Sequence, residues 1–184
     1  MQLTTKNISL LFLLSISSLS CFCCTTFVLK DSTQLVFGRN LDWVSDDGLV
    51  MINKRDVKKT SLVFPPEKAT NWTSKYGSVT FNQFGKEFPF GGMNEKGLVV
   101  ELMLIQGKYP KLDKRTAVNE LQWVQYQLDN SSTVNQVVLS DKSIRISKIN
   151  QHLHFLVCDS LGRTAVIEFS EKGMSVYQNE SLPI

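Results

Sequence analysis

Cys24-Thr25-Thr26-Phe27-Val28-Leu29, then Lys30-Asp31-Ser32-Thr33-Gln34, then Leu35-Val36-Phe37-Gly38-Arg39-Asn40-Leu41 is the stretch on which the fold turns. β-Branched and apolar residues fill both arms, and a polar segment separates them. That pattern predicts a β-hairpin. Folding it about Ser32 sets Lys30 opposite about Gln34, and Cys24 opposite about Asn40. Arg39 and Asp42 then return beside Cys24. A slip of one residue would exchange the two faces, so the pattern specifies proximity and not a contact.

The residues before Cys24 read as a leader. Residues 1–6 are polar, with one lysine and no acid, and residues 8–16 form an apolar core. Such a core is too short to cross a bilayer, which needs roughly 20 residues per helix. Residues 17–23 are small and polar, with Cys21 and Cys23 at the −3 and −1 positions of a cut before Cys24. Residues 1–23 are therefore expected to be a secretory signal peptide, and 24–184 the mature domain, secreted or periplasmic and free of the membrane after cleavage. Lipidation at Cys21 is the alternative, and Leu19 sits one place too close to that cysteine for a good match.

Composition narrows the function. Lys and Arg number 20 against 17 Asp and Glu, a formal charge of +3 with no long basic run. No nucleic-acid partner is expected. After the leader only Cys24 and Cys158 remain, too few for a disulfide framework, and Cys158 in Phe155-Leu156-Val157-Cys158 reads as a buried, inert thiol. His152 and His154 alternate along one strand. With no third ligand at motif spacing, neither a metal site nor any cofactor is expected.

The remaining pattern is rich in strands. Residues 76–82 read as a strand, 83–92 as a loop, 93–97 as a turn and 98–105 as a buried strand. Ala117, Leu121, Val124 and Leu128 fall at helical spacing, so 116–129 is expected to be an amphipathic helix capped by Thr116. A shorter helix over 133–140 follows. Residues 152–158, 164–169 and 174–178 form a three-stranded meander with turns at 159–163 and 170–173. Helices in one block among many strands predict an α+β fold with helices against sheet.

Cys24 is the residue with most chemistry. At a mature N-terminus it would hold a thiol and an α-amine together, with ordinary pKa values of about 8.5 and about 7.7–8.0. The ammonium and Arg39 would both favour thiolate, and the neutral amine can take and return the proton. Asp42 could orient that amine as a third group does in a triad. Asn94, in a turn behind Gly91-Gly92, could offer a backbone N–H or its amide to an oxyanion. Each also has a plainer reading. Arg39 and Asp42 could be a surface ion pair, and Asn94 a turn residue. Trp43, Phe64, Phe84, Phe88 and Phe90 could line an acyl pocket or simply fill core, while Trp72 and Trp123 read as core or rim.

Three stretches carry a resemblance. Cys24-Thr25-Thr26-Phe27, Phe37-Gly38-Arg39-Asn40-Leu41-Asp42-Trp43 and Gly91-Gly92-Met93-Asn94-Glu95-Lys96-Gly97-Leu98 together resemble the choloylglycine hydrolase family, N-terminal-nucleophile hydrolases that include bile salt hydrolases and penicillin V acylases. The resemblance implies an αββα sandwich of antiparallel sheets and hydrolysis of linear amide C–N bonds. In it Cys24 is the nucleophile, Arg39 lies against the thiol, Asp42 holds the α-amine and Asn94 serves the oxyanion hole. The partner implied is a small N-acyl amide: a conjugated bile acid, penicillin V or an N-acyl homoserine lactone. Assembly into a homo-oligomer is left open. Members of the family continue past a segment like residues 180–184 into a Thr-Asn motif with a second oxyanion asparagine, then a further arginine. This chain therefore reads as the N-terminal portion of such a domain. The competing expectation is a non-catalytic remnant or binding protein of the same fold.

Overall fold

The computed structural model describes residues 24–43 and 45–179. The expected leader over 1–23, Cys21 with it, lies outside the described residues, as do 180–184.

The chain opens with β1 (Thr25–Lys30) and β2 (Leu35–Asn40), followed by β3 (Leu49–Asn53), β4 (Lys58–Thr60), β5 (Asn71–Thr73), β6 (Ser78–Asn82), β7 (Pro89–Asn94), β8 (Val99–Leu104) and β9 (Thr116–Asn119). Two helices come next, α1 (Glu120–Asn130) and α2 (Val134–Ser140), then β10 (Ile144–Ser147), β11 (Leu153–Cys158), β12 (Thr164–Ser170) and β13 (Gly173–Asn179). Seven strands form one antiparallel sheet in the order β13-β12-β11-β8-β7-β6-β3. The β11–β12–β13 meander appears where alternation placed it.

Strand alternation divides the sheet into two unlike faces. Val100, Leu102, Phe155, Val157 and Ile167 share one face and are fully buried or nearly so. Helix α1 packs on that face, with the Trp123 ring 4.3 Å from Phe155 and 5.7 Å from Phe169. Each such side chain taken from water stabilises the fold by roughly 1.5–3 kcal/mol. The opposite face carries Val99, Glu101 and Met103, and the β1–β2 hairpin lies against it. Helices, large sheet and hairpin make three successive layers. Beyond the hairpin, Val50, Ile52, Val79, Phe81 and Met93 remain exposed on this second face.

The first helix begins later than its periodicity suggested. Thr116–Asn119 is a strand, paired in parallel with Ile144–Ser147. Asn119, not Thr116, is the N-cap: its side-chain oxygen accepts from the backbone N–H groups of Leu121 and Gln122. The Thr116 hydroxyl instead accepts a hydrogen bond from Thr70. Thr133 caps α2 as expected, accepting from the Gln136 N–H. Residues 89–92, expected as loop, belong to β7.

A buried ion pair ties the β4–β5 ribbon to the end of α1. Lys59 Nζ lies 2.8 Å from Asp129 Oδ2, and the same oxygen accepts the Trp72 indole N–H at 2.7 Å. Gln125 donates to the other carboxylate oxygen at 2.9 Å. Both charged side chains are essentially out of water. Removing one partner leaves a buried, uncompensated charge, which costs far more than the pair itself is worth. Asp129→Ala is expected to lower unfolding free energy by ~3–5 kcal/mol in urea titration, and Lys59→Met/Asp129→Leu to recover part of that loss.

Candidate active site

The hairpin register sets the site. Thr25 pairs with Asn40, Thr26 with Arg39 and Lys30 with Leu35, one residue away from the expected pairing. The cause lies in the turn. Asp31 accepts from the Thr33 N–H at 2.6 Å, the Thr33 hydroxyl at 2.9 Å and the Gln34 N–H at 2.7 Å. These bonds hold the Asp31 carboxyl below its usual range and close a four-residue loop. The shift decides which side chains meet. Cys24 falls opposite Leu41, and Cys24, Thr26, Arg39 and Leu41 all face the large sheet. Cys24 and Arg39 become diagonal neighbours on one face, a relation that places them roughly 7–8 Å apart.

Arg39 is held firmly. Beyond the Gly91–Glu101 pair, β7 and β8 stop pairing. The guanidinium fills that opening. Nη1 donates to the Phe90 carbonyl at 3.2 Å and Nη2 to the Leu102 carbonyl at 3.1 Å. Nη1 also lies 2.6 Å from Glu101 Oε2, and both side chains are almost wholly buried. Gly91 makes this possible, because a Cβ there would sit 1.9 Å from the Glu101 carboxylate. Burial pushes the Glu101 carboxyl up to about 7 against the pull of Arg39. Arg39 is thus a buried residue paired with Glu101 and not a surface one.

Cys24 is half-buried, and its thiol donates to the Asp42 main-chain carbonyl at 3.7 Å. It lines a small cleft walled by Leu41, Trp43, Phe84, Phe90, Leu102 and Leu104. Trp43 meets Phe90 edge-on and Phe84 meets it at a tilt, each with ring centres 5.6 Å apart. Of the aromatic residues considered for an acyl pocket, these three line the cleft. Phe64 is exposed elsewhere, and Phe88 packs against the core. Glu120 reaches the cleft wall, but its carboxylate is engaged by the N–H groups of Ile149, Asn150 and Gln151. The surface offered beside the thiol is apolar and aromatic.

Asn94 is a correction. Its amide nitrogen donates to the carbonyls of Leu128 at 2.8 Å and Ser131 at 2.7 Å, which uses both of its hydrogens. Its side-chain oxygen accepts from the N–H groups of Lys96 and Leu98, and its own backbone N–H goes to the Leu98 carbonyl. No donor is left for an oxyanion. Asn94 also lies four strand residues beyond Phe90, roughly 13 Å along β7. It fastens the C-terminal end of α1 to the β7–β8 turn.

The comparisons agree with this architecture. The family model described as linear amide C–N hydrolases, choloylglycine hydrolase family, matches residues 24–182. The chain belongs to the choloylglycine hydrolase family. It is 29% identical over 192 residues to a penicillin V acylase of Pectobacterium atrosepticum, covering 93% of this chain and 50% of that one. The structure of a penicillin V acylase from Agrobacterium tumefaciens superposes with a TM-score of 0.72 at 28% identity, over 85% of this chain and 50% of that one. A variant of the conjugated bile acid hydrolase from Clostridium perfringens gives 0.71 at 24% identity, over 86% and 51%. The chain thus spans about half the length of these relatives. Its helical layer, large sheet and hairpin are three layers of the αββα sandwich of this choloylglycine hydrolase fold. Glu101 is the residue that sequence reading passed over, although one acid inside the apolar run Val99–Leu104 was a visible signal.

The clamp reading of Asn94 has a direct check. Asn94→Ala is expected to lower unfolding free energy by ~2–4 kcal/mol, since it orphans two buried carbonyls and two turn amides. An unchanged denaturation midpoint would contradict it.

Proposed function

We propose that this chain carries the nucleophile of an amidase acting on amides with apolar, preferentially aromatic, acyl groups. Cys24 is the attacking residue once an exported, periplasmic or secreted protein has been cut between Cys23 and Cys24. One observation carries the reading: a half-buried thiol, a buried arginine on the same hairpin face and an aromatic cleft converge at Cys24, where the family match begins.

The chemistry follows from the group types. The α-amine accepts the thiol proton, helped by the positive potential of Arg39, and the thiolate attacks the amide carbon. The tetrahedral oxyanion collapses, the C–N bond breaks, and the leaving amine takes the proton from the α-ammonium. A thioester remains on Cys24. Water then attacks that carbonyl with the α-amine as base, releasing the carboxylic acid and restoring the thiol. Asp42 orients the α-amine in this scheme. With Asn94 committed elsewhere, the oxyanion donor is a group other than the one first considered, and such a donor is worth ~10²–10³ in rate.

Penicillin V, conjugated bile acids and N-acyl homoserine lactones each present an apolar acyl group on an amide, and they form the substrate panel. Mass spectrometry of the exported protein is expected to find Cys24 as its first residue. Cys24→Ala is expected to abolish turnover of whichever panel member is hydrolysed, and a cysteine-directed acylating probe to label Cys24 in the unsubstituted protein. An unchanged rate in Cys24→Ala ends the proposal. Folded, correctly cut protein that resists the probe would point instead to a binding protein on this fold.

A further inference from the structure

We infer that Glu101 is a positioning residue for the nucleophile, acting through Arg39 to set how much positive charge Cys24 experiences. The inference rests on the reading of Cys24 as the reactive thiol. Its grounds are geometric. Arg39 reaches from the hairpin's inner face into the gap where β7 and β8 part, and three acceptors meet it there. Two are carbonyls, which fix its direction. The third is the Glu101 carboxylate, the only acceptor of the three whose charge can change.

The arrangement is specific to this acid. Gly91 lies directly across from Glu101 and leaves room that any side chain would fill. On Glu101's other side, the paired residue of β11 is Leu156, which is apolar. Among the described residues, Arg39 and Asp42 bring charge from the hairpin segment, Glu101 from β8 and Glu120 from α1. His154 of β11 is two residues from Leu156 on the strand beside Glu101, with Glu168 of β12 next to it, and burial holds its imidazole below the usual range against the pull of Glu168. Glu120 is already engaged by three backbone N–H groups, so Glu101 is the counter-charge that bears on Arg39.

The direction of the effect can be worked out. An anionic Glu101 neutralises Arg39 and weakens its stabilisation of the thiolate. A neutral residue there leaves Arg39's charge uncompensated, which favours the thiolate and lowers the thiol pKa. The Glu101 carboxyl, raised to about 7 by burial, changes charge across the neutral range where such a thiol works.

The test is the pH dependence of Cys24 alkylation by iodoacetamide, read on the Cys24 peptide by mass spectrometry in the full chain. Glu101→Gln keeps an oxygen for Arg39 and removes the charge. It is expected to move the midpoint of the rate profile to lower pH by about half a unit or more. Glu101→Asp keeps the charge and is expected to retain the original midpoint, which also controls for folding. In an Arg39→Met background the Glu101→Gln shift is expected to vanish. A midpoint unmoved by Glu101→Gln, or a shift that persists without Arg39, overturns the inference. The readout needs no turnover. Retained hydrolysis in Cys24→Ala would remove the amidase reading, and with it the nucleophile role of Cys24. The coupling of Glu101 and Arg39 to the Cys24 thiol is read separately and falls only with an unmoved alkylation midpoint or a shift that persists without Arg39.

Discussion

A guanidinium taken out of water must find acceptors, and the position of Arg39 follows from that requirement. Arg39 is the cation that the hairpin sends toward the large sheet, and both of its terminal nitrogens are hydrogen-bonded there, while Nε is left without a partner among the described residues. It finds its acceptors where the β7–β8 ladder opens, at Phe90 and Leu102. Those residues also wall the Cys24 cleft. One buried cation therefore aligns the strand that follows Cys24 with the wall of the Cys24 cleft. Gly91 contributes by what it lacks, since Glu101 occupies the space a side chain would take.

Much of this was legible in the sequence, and the exceptions have local causes. Alternation in Leu153–Cys158 and Thr164–Ser170 announced the meander because each of those strands has a buried and a less buried side, and Gly173–Asn179 completes it by pairing with the second. The first hairpin was equally plain. Its register was not, because it depends on how one carboxylate, Asp31, gathers the amides of its turn. Residues 116–119 carried apolar residues compatible with either helix or strand. Pairing with β10, almost thirty residues later, decided the matter.

The site was legible to a different degree. Cys24 and Arg39 stand close in sequence and share a hairpin, so local pattern was enough to bring them together. Asn94 was misread because its partners, Leu128 and Ser131, lie 34 and 37 residues away and leave no trace in the turn itself. Lys59 shows the same blindness. A lysine in Lys58-Lys59-Thr60 reads as solvated, yet Asp129, 70 residues on, holds it inside. Long-range polar pairing is the part of this fold that periodicity does not encode.

The open face formed by Val50, Ile52, Val79, Phe81 and Met93 has a practical meaning for handling the protein. Five apolar side chains on three adjacent strands, bordered by β3, which is an edge strand among the described residues, make a contiguous apolar surface that favours association. Solubility then depends on solvent as much as on net charge. Sulfate and phosphate buffers, which strengthen apolar association, should drive the chain out of solution, and cooling should keep it dispersed. The same residues that finish a strand pattern in the sequence thus govern the colloidal behaviour of the purified chain.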